Sequence, residues 1–169
     1  MSEKVRWGII GLGNIASNFV KDLALVKEAE IYAAASRNLE KAKGFSKKYN
    51  IPNAFGSYKE LLECKEVEVV YIATPHTSHC ELSIMAMEHG KHVLCEKPMG
   101  INRAEVEKMI AAAQENKVFL MEALWSRFNP SIRKVKQMVD SGDIGPLAYL
   151  HADFAFYALD RDFNGRVLN

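Results

Sequence analysis

Apolar positions fall along this chain in two alternating rhythms. Short runs that are apolar almost throughout occupy residues 5–10 (VRWGII), 31–35 (IYAAA), 67–73 (VEVVYIA), 92–95 (HVLC) and 118–121 (VFLM). Between them the core-facing positions return every three or four residues. These are Ile15, Ala16, Phe19, Val20, Leu23 and Ala24; then residues 39–49; then Leu82, Met85, Ala86 and His89; then Val106, Met109, Ile110 and Ala113. The first rhythm predicts strands and the second helices. Strands with little polar alternation, separated by helices, indicate a parallel sheet covered on both faces. The fold class is therefore α/β, a doubly wound sheet of Rossmann type, over residues 1–123. Local punctuation agrees: Gly90 sits where the third helix should stop, and Asn102 with Glu105 three residues on has the spacing of a capping box.

After residue 123 the rhythm changes. Residues 131–139 predict another helix, closed by Ser141-Gly142, and Gly145-Pro146 marks a turn. Residues 147–157 read as a long strand with Leu150, Ala152, Phe154 and Phe156 on one face. That strand has no evident partner. Residues 124–169 are thus expected to be a linker helix and the first strand of a truncated second α+β domain, whose uncovered apolar edge invites association with another chain.

Composition narrows the function. Apolar residues make up 49% of the 169, enough for a packed core. Basic residues number 22 against 21 acidic, a net charge of +1, which offers no footprint for nucleic acid or an anionic membrane. The basic cluster at residues 41–48 reads as the solvated face of a helix. The N-terminus has no apolar leader, and no run approaches the ~18 residues of a membrane span. Three cysteines without a Cys-x-x-Cys pair suit a reduced, cytoplasmic protein.

The first candidate site is the turn after the first strand, GLGNIA at residues 11–16. Gly11-x-Gly13-x-x-Ala16 is the dinucleotide fingerprint. Gly11 permits the turn, Gly13 lets a pyrophosphate reach the backbone, and Ala16 lets helix and strand pack closely. With Leu12, Asn14 and Ile15 it opens a helix whose free N–H groups and dipole hold phosphate. The alternative is a plain tight turn. The second strand ends in Ala35-Ser36-Arg37-Asn38, without the acidic residue that an NAD-preferring site places there. A hydroxyl and a guanidinium suit a 2′-phosphate, so NADP is expected over NAD. The alternative makes Ser36 a helix cap and Arg37 a solvated charge.

Ligands of such folds sit at the carboxyl ends of the strands, and three further stretches fall there. In ATPHTSH (residues 73–79), Thr74 and Pro75 can line the nicotinamide–ribose path. His76 and His79 are spaced for a metal but lack a third ligand, so no metal site is expected; surface polarity, or a His79 facing cofactor or substrate, are the remaining readings. In CEKPMG (residues 95–100), Lys97 can handle a proton, Glu96 can hydrogen-bond a ribose, and Pro98 forces the turn. The competing reading is a surface ion pair of Glu96 with Lys97. In MEALWSRFNP (residues 121–130), Trp125, Arg127 and Phe128 either wall a nicotinamide pocket or form a hydrophobic hinge.

GIIGLGNIA, ATPHTSH, CEKPMG and MEALWSRFNP together resemble the Gfo/Idh/MocA oxidoreductases, in the look of the branch that holds dimeric dihydrodiol dehydrogenase and sugar dehydrogenases. The resemblance implies hydride transfer between NAD(P) and a secondary alcohol of a sugar, polyol or dihydrodiol. It implies Lys97 as the residue that hydrogen-bonds the reacting oxygen and moves its proton. It places Glu96 near the nicotinamide ribose, Ser36 and Arg37 at an NADP phosphate, and Trp125 and Phe154 around the substrate. It further implies a second domain that completes the catalytic set and a full-length homo-oligomer. On that reading this chain binds cofactor and turns over little alone. The alternative from a different class is a nucleotide-binding sensor or partner subunit without catalysis.

Overall fold

The computed structural model describes residues 4–153 and 155. The chain divides into two compact units, Met1–Trp125 and Ser126–Asn169. The first unit carries β1 (Val5–Ile10), α1 (Asn14–Leu23), β2 (Ala29–Ala35), α2 (Leu39–Tyr49), β3 (Asn53–Phe55), α3 (Tyr58–Glu63), β4 (Val69–Ile72), α4 (His79–Glu88), β5 (His92–Cys95), α5 (Arg103–Glu115) and β6 (Leu120–Glu122). Its strands form a six-stranded sheet in the order β3-β2-β1-β4-β5-β6, every pairing parallel. The chain moves outward from β1 to β3, then returns to lay β4 on the other side of β1. The order reverses between β1 and β4, which is where such sheets open a crevice for ligand.

Alternate strand residues feed two cores, because successive side chains point to opposite faces. Ile9, Ala34 and Tyr71 pack with Ala16 and Val20 of α1 and Ala42 and Phe45 of α2. Ile10, Ala33, Ala35, Val70, Ile72, Val93 and Cys95 pack with Leu61 and Leu62 of α3, Leu82 and Ala86 of α4, and Met109 of α5. The two covered faces explain why the strands read as apolar runs.

The helix ends follow local chemistry. Asn38 caps α2, its side chain accepting from the Lys41 N–H. Asn102 caps α5 by accepting from the Glu105 N–H at 2.9 Å, while Glu105 Oε2 accepts from the Ile101 N–H at 3.0 Å. Lys41, Lys43, Lys47 and Lys48 lie on the solvent side of α2, as their clustering predicts.

Two elements escape the periodicity argument. β3 is a three-residue edge strand, and α3 has six residues, both shorter than a hydrophobic period can register. A signal for α3 was nonetheless present: Ser57 accepts from the Glu60 N–H, and Glu60 answers by accepting from the Gly56 N–H at 3.0 Å.

In the second unit, α6 (Pro130–Asp140) starts at Asn129, whose side chain accepts from the Ser131 and Ile132 N–H groups, with Pro130 in the first turn. The strand expected over residues 147–157 is corrected: residues 147–153 and 155 form no strand. Alternation is a pattern that a strand satisfies, but a strand persists only against a ladder partner, and none among the described residues pairs with this segment. Phe154 and Phe156 lie outside the described residues. Among the described residues no helix is long and apolar enough to cross a membrane.

Candidate cofactor and active site

The glycine turn stands at the reversal point. Gly11 has φ +89°, and a Cβ there would lie 2.5 Å from the Ala73 carbonyl carbon and 2.6 Å from the Thr74 nitrogen. Both the backbone conformation and the approach of the β4 end demand glycine at this position. Gly13 differs. It caps α1 at φ −101°, which any residue adopts, and a Cβ there would meet nothing within 4 Å. The fold does not need a glycine at position 13, but a group approaching the backbone there does.

The rest of the turn fits that use. Leu12 is buried and anchors it, Ala16 is fully buried under the sheet, and Asn14 and Ile15 face solvent. The α1 cap has no side-chain hydrogen bond and the first turn no acidic residue. The first N–H groups of a helix lack intrahelical partners, so an anion is the natural complement.

At the end of β2, Ser36 is not the cap of α2; Asn38 is. The Ser36 Oγ accepts from the Asn38 N–H at 3.2 Å, which leaves its own proton to donate outward. Arg37 is exposed and makes no ion pair or hydrogen bond among the described residues.

At the end of β4, Thr74 is 5% exposed and its Oγ1 has no hydrogen-bond partner among the described residues. A buried hydroxyl left unpaired is costly, so a polar group of a ligand at the crevice would satisfy it. Pro75 is exposed and His76 half-buried.

His79 does not face solvent. It is fully buried, with Nδ1 2.8 Å from the Pro98 carbonyl oxygen and Nε2 2.9 Å from the Thr74 carbonyl oxygen. The reading of His79 as a surface residue is corrected, because the ring is fully buried. The ring ties the loop after β4 to the loop after β5. The His76 ring lies edge-on to it, centroids 5.5 Å apart.

β5 is bracketed by two lysines in opposite situations. Lys91 precedes it and is 6% exposed, its Nζ donating to the Cys64 carbonyl at 2.7 Å and the Val67 carbonyl at 2.8 Å. Burial lowers its pKa. It closes a loop at the amino end of the sheet. Lys97 follows β5 at the carboxyl end, is exposed, and its amine has no partner among the described residues. The ion pair with Glu96, one reading of the sequence, is absent. Glu96 instead accepts from the Tyr71 hydroxyl at 2.5 Å through Oε1 and from the Lys97 backbone N–H at 3.2 Å through Oε2. The Lys97–Pro98 bond is cis, and the Met99 N–H beyond it donates to Glu122 Oε1 at 2.8 Å.

Sequence reasoning missed Tyr71 and Glu122 as parts of this turn. Tyr71 reads as one more apolar residue of a core strand, and it does pack there: it is 1% exposed, with its ring stacked on Phe19 at 3.8 Å between centroids. Only tertiary structure brings its hydroxyl to Glu96. Burial first, then the hydrogen bond to Glu96, holds the Tyr71 hydroxyl well above the ordinary tyrosine value of 10.0. With the folded value raised, the stabilisation is complete below about pH 10 and is lost as pH rises further, because the unfolded chain ionises first. Tyr71→Phe should therefore flatten the alkaline loss of stability by up to about 1.4 kcal/mol per pH unit above pH 10. Urea melts of both proteins between pH 9 and 11 measure it; parallel curves would refute the assignment.

Trp125 ends the first unit, 61% exposed. Arg127 belongs to the second unit and lines an open groove of about 560 Å³ with Arg133, Lys136, Gln137, Asp140 and Ser141.

A reversal-point glycine turn, an open anion cradle on α1 and a polar crevice at the strand ends define a dinucleotide-binding Rossmann domain. Residues 5–124 match the Gfo/Idh/MocA oxidoreductase family, described as having an NAD-binding Rossmann fold, and the chain belongs to that family. Among its relatives, mouse trans-1,2-dihydrobenzene-1,2-diol dehydrogenase is 46% identical over 154 residues, 90% of this chain and 46% of the mouse protein. The human protein of the same name is 42% identical over 152 residues, 89% of this chain and 46% of its own. The chain thus spans about half the length of the curated relatives it matches. Among solved structures, the 3-ketoreductase KijD10 of Actinomadura kijaniata, crystallised with NADP, aligns with a TM-score of 0.78 at 35% identity, covering 85% of this chain and 46% of that one. An oxidoreductase structure from Desulfitobacterium hafniense aligns with a TM-score of 0.81 at 28% identity, covering 86% of this chain and 42% of that one.

Proposed function

We propose that this chain is the cofactor half of a dehydrogenase that moves hydride between NADP and a secondary alcohol of a sugar, polyol or dihydrodiol. One observation carries the reading: at the carboxyl end of the sheet that holds the glycine turn, Lys97 presents an amine with no ion-pair partner among the described residues, although a carboxylate is its neighbour in sequence. A surface lysine beside Glu96 has every electrostatic reason to pair with it. Here the turn holds the two apart. The names of the relatives, dihydrodiol dehydrogenases, and the NADP of the ketoreductase structures point the same way.

The residues divide the work. Gly11, Leu12, Gly13, Asn14 and Ile15 receive the pyrophosphate on the α1 N-terminus. Ser36 and Arg37 receive the 2′-phosphate. Thr74, Pro75 and Glu96 line the nicotinamide ribose, with His76 and Trp125 beside them, and His79 holds the two loops in register. NADP, when bound, supplies the hydride acceptor. As the alcohol's C–H bond gives up its hydride, Lys97 Nζ accepts the hydroxyl proton; in ketone reduction the ammonium returns it. The substrate is a small molecule, and the full-length protein is expected to self-associate. The free thiols of Cys64, Cys80 and Cys95 suit a reducing, cytoplasmic setting.

Fluorescence titration through Trp7 and Trp125 tests the cofactor assignment. NADPH should bind at least about tenfold tighter than NADH, and Arg37→Ala should remove that preference by weakening NADPH alone, as loss of a charge-assisted contact worth roughly 1.5–3 kcal/mol requires. Equal affinities would defeat the NADP assignment. Oxidation of trans-dihydrodiols or pentoses by the full-length protein tests the activity. Tight NADPH binding without oxidation of any of them would favour the sensor reading instead.

A further inference from the structure

Glu96 and Lys97 are neighbours of opposite charge, yet no ion pair joins them among the described residues. What separates them is visible. Glu96 Oε1 accepts from the Tyr71 hydroxyl, and Oε2 accepts from the Lys97 backbone N–H. Tyr71 is itself immobilised: it is 1% exposed, stacked on Phe19 at an interplanar angle of 19°, and Phe19 in turn rests against Trp7 at 5.7 Å. We infer that Tyr71 is a positioning residue of this site: its buried hydroxyl holds the Glu96 carboxylate in one orientation and so keeps the Lys97 amine free of an ion pair. This deepens the reading of Lys97 as the proton-handling group and rests on it.

A carboxylate within reach of an ammonium stabilises the charged amine and delays its deprotonation. Turning Glu96 toward Lys97 means giving up a hydrogen bond from a buried phenol whose only acceptor among the described residues is that carboxylate. Burial and the carboxylate also keep the phenol protonated, so it remains a donor. The other titratable groups around the turn do not replace Glu96 as the counter-charge. Cys95 is a buried thiol pushed up to about 12. Glu122, from β6, accepts from the Met99 N–H. His79, from α4, addresses the Pro98 and Thr74 carbonyls.

Competitive acylation of the 169-residue chain with acetic anhydride across pH, read at Lys97 by mass spectrometry, tests the inference without depending on turnover. Tyr71→Phe keeps the stacked ring and removes only the hydroxyl. It should move the labelling midpoint of Lys97 upward by roughly half a pH unit, with other lysines unmoved. In a Glu96→Gln background the same substitution should move nothing. No shift in Tyr71→Phe, or a shift that survives in the Glu96→Gln background, would overturn the inference. Glu96→Gln alone gives a reading that does not depend on how Tyr71→Phe folds. If Tyr71 holds Glu96 away, the midpoint stays nearly in place; a fall by a similar half unit would mean that Glu96 already pairs with Lys97, and the inference fails. In the full-length enzyme, Tyr71→Phe should shift the lysine limb of the kcat profile to higher pH. If Lys97→Ala leaves turnover intact, the catalytic reading falls while the labelling result still stands or falls by itself.

Discussion

Gly13→Val should leave the fold standing and abolish NADPH binding, whereas Gly11→Ala should damage the fold itself. The two glycines belong to one motif but answer to different masters. Gly13 has ordinary backbone geometry and open space where a Cβ would go, so valine enters without strain. Its cost is limited to a poorer helix cap, about 1 kcal/mol or less, a fall in Tm of about 2–4 °C for a chain of this size. The branched side chain then fills the space above the α1 N–H groups through which a pyrophosphate must approach. Gly11 combines φ +89° with a Cβ position 2.5 Å from backbone of the β4 end. Backbone strain of about 1–3 kcal/mol and overpacking of about 1–3 kcal/mol both apply there. Paired thermal melts and NADPH titrations separate the two. A Gly13→Val protein that still binds NADPH with wild-type affinity would mean that the turn is only a turn.

Lys97→Ala in the full-length enzyme should lower kcat by about 10²–10⁴, the usual range for loss of a general acid or base, while NADPH affinity stays within a few-fold. Lys97→Arg should not rescue it, because a guanidinium does not give up its proton at working pH. No fold damage is expected, since the side chain is exposed and bears no contact that another described residue needs. Lys91 provides the control for lysine chemistry at the other end of β5. Its Nζ satisfies two carbonyls, so its removal should show in stability and not in the chemical step. A Lys97→Ala enzyme within tenfold of wild type would remove Lys97 from the mechanism.

Much of the site was legible because it is local. Gly11 and Gly13 carry their meaning in spacing after a strand; Ser36 and Arg37 stand where an acidic residue is missing; Lys97 stands out as a charge at the end of an apolar run. The capping residue Asn102 acts over three positions. The misreadings fall where the answer is non-local. The alternative reading made Ser36 the cap of α2, and Asn38 takes that place. His79 opens a helix and looks exposed, but the loops after β4 and β5 close over it. Residues 147–153 alternate as a strand does, yet alternation supplies no hydrogen-bond partner.

By itself the sequence determined the parallel α/β class and the dinucleotide turn, because hydrophobic period and glycine conformation are properties of a few adjacent residues. Tertiary structure alone decided which of those residues are free to act. The reversal of strand order between β1 and β4 makes the crevice. Tyr71, 25 residues before Glu96, reaches it with a buried hydroxyl, and Glu122, 23 residues after Met99, secures the turn from the neighbouring strand. Side chains far apart in the chain meet only when the sheet is assembled, and burial then fixes which hydrogen bonds must be made and which charge is left over.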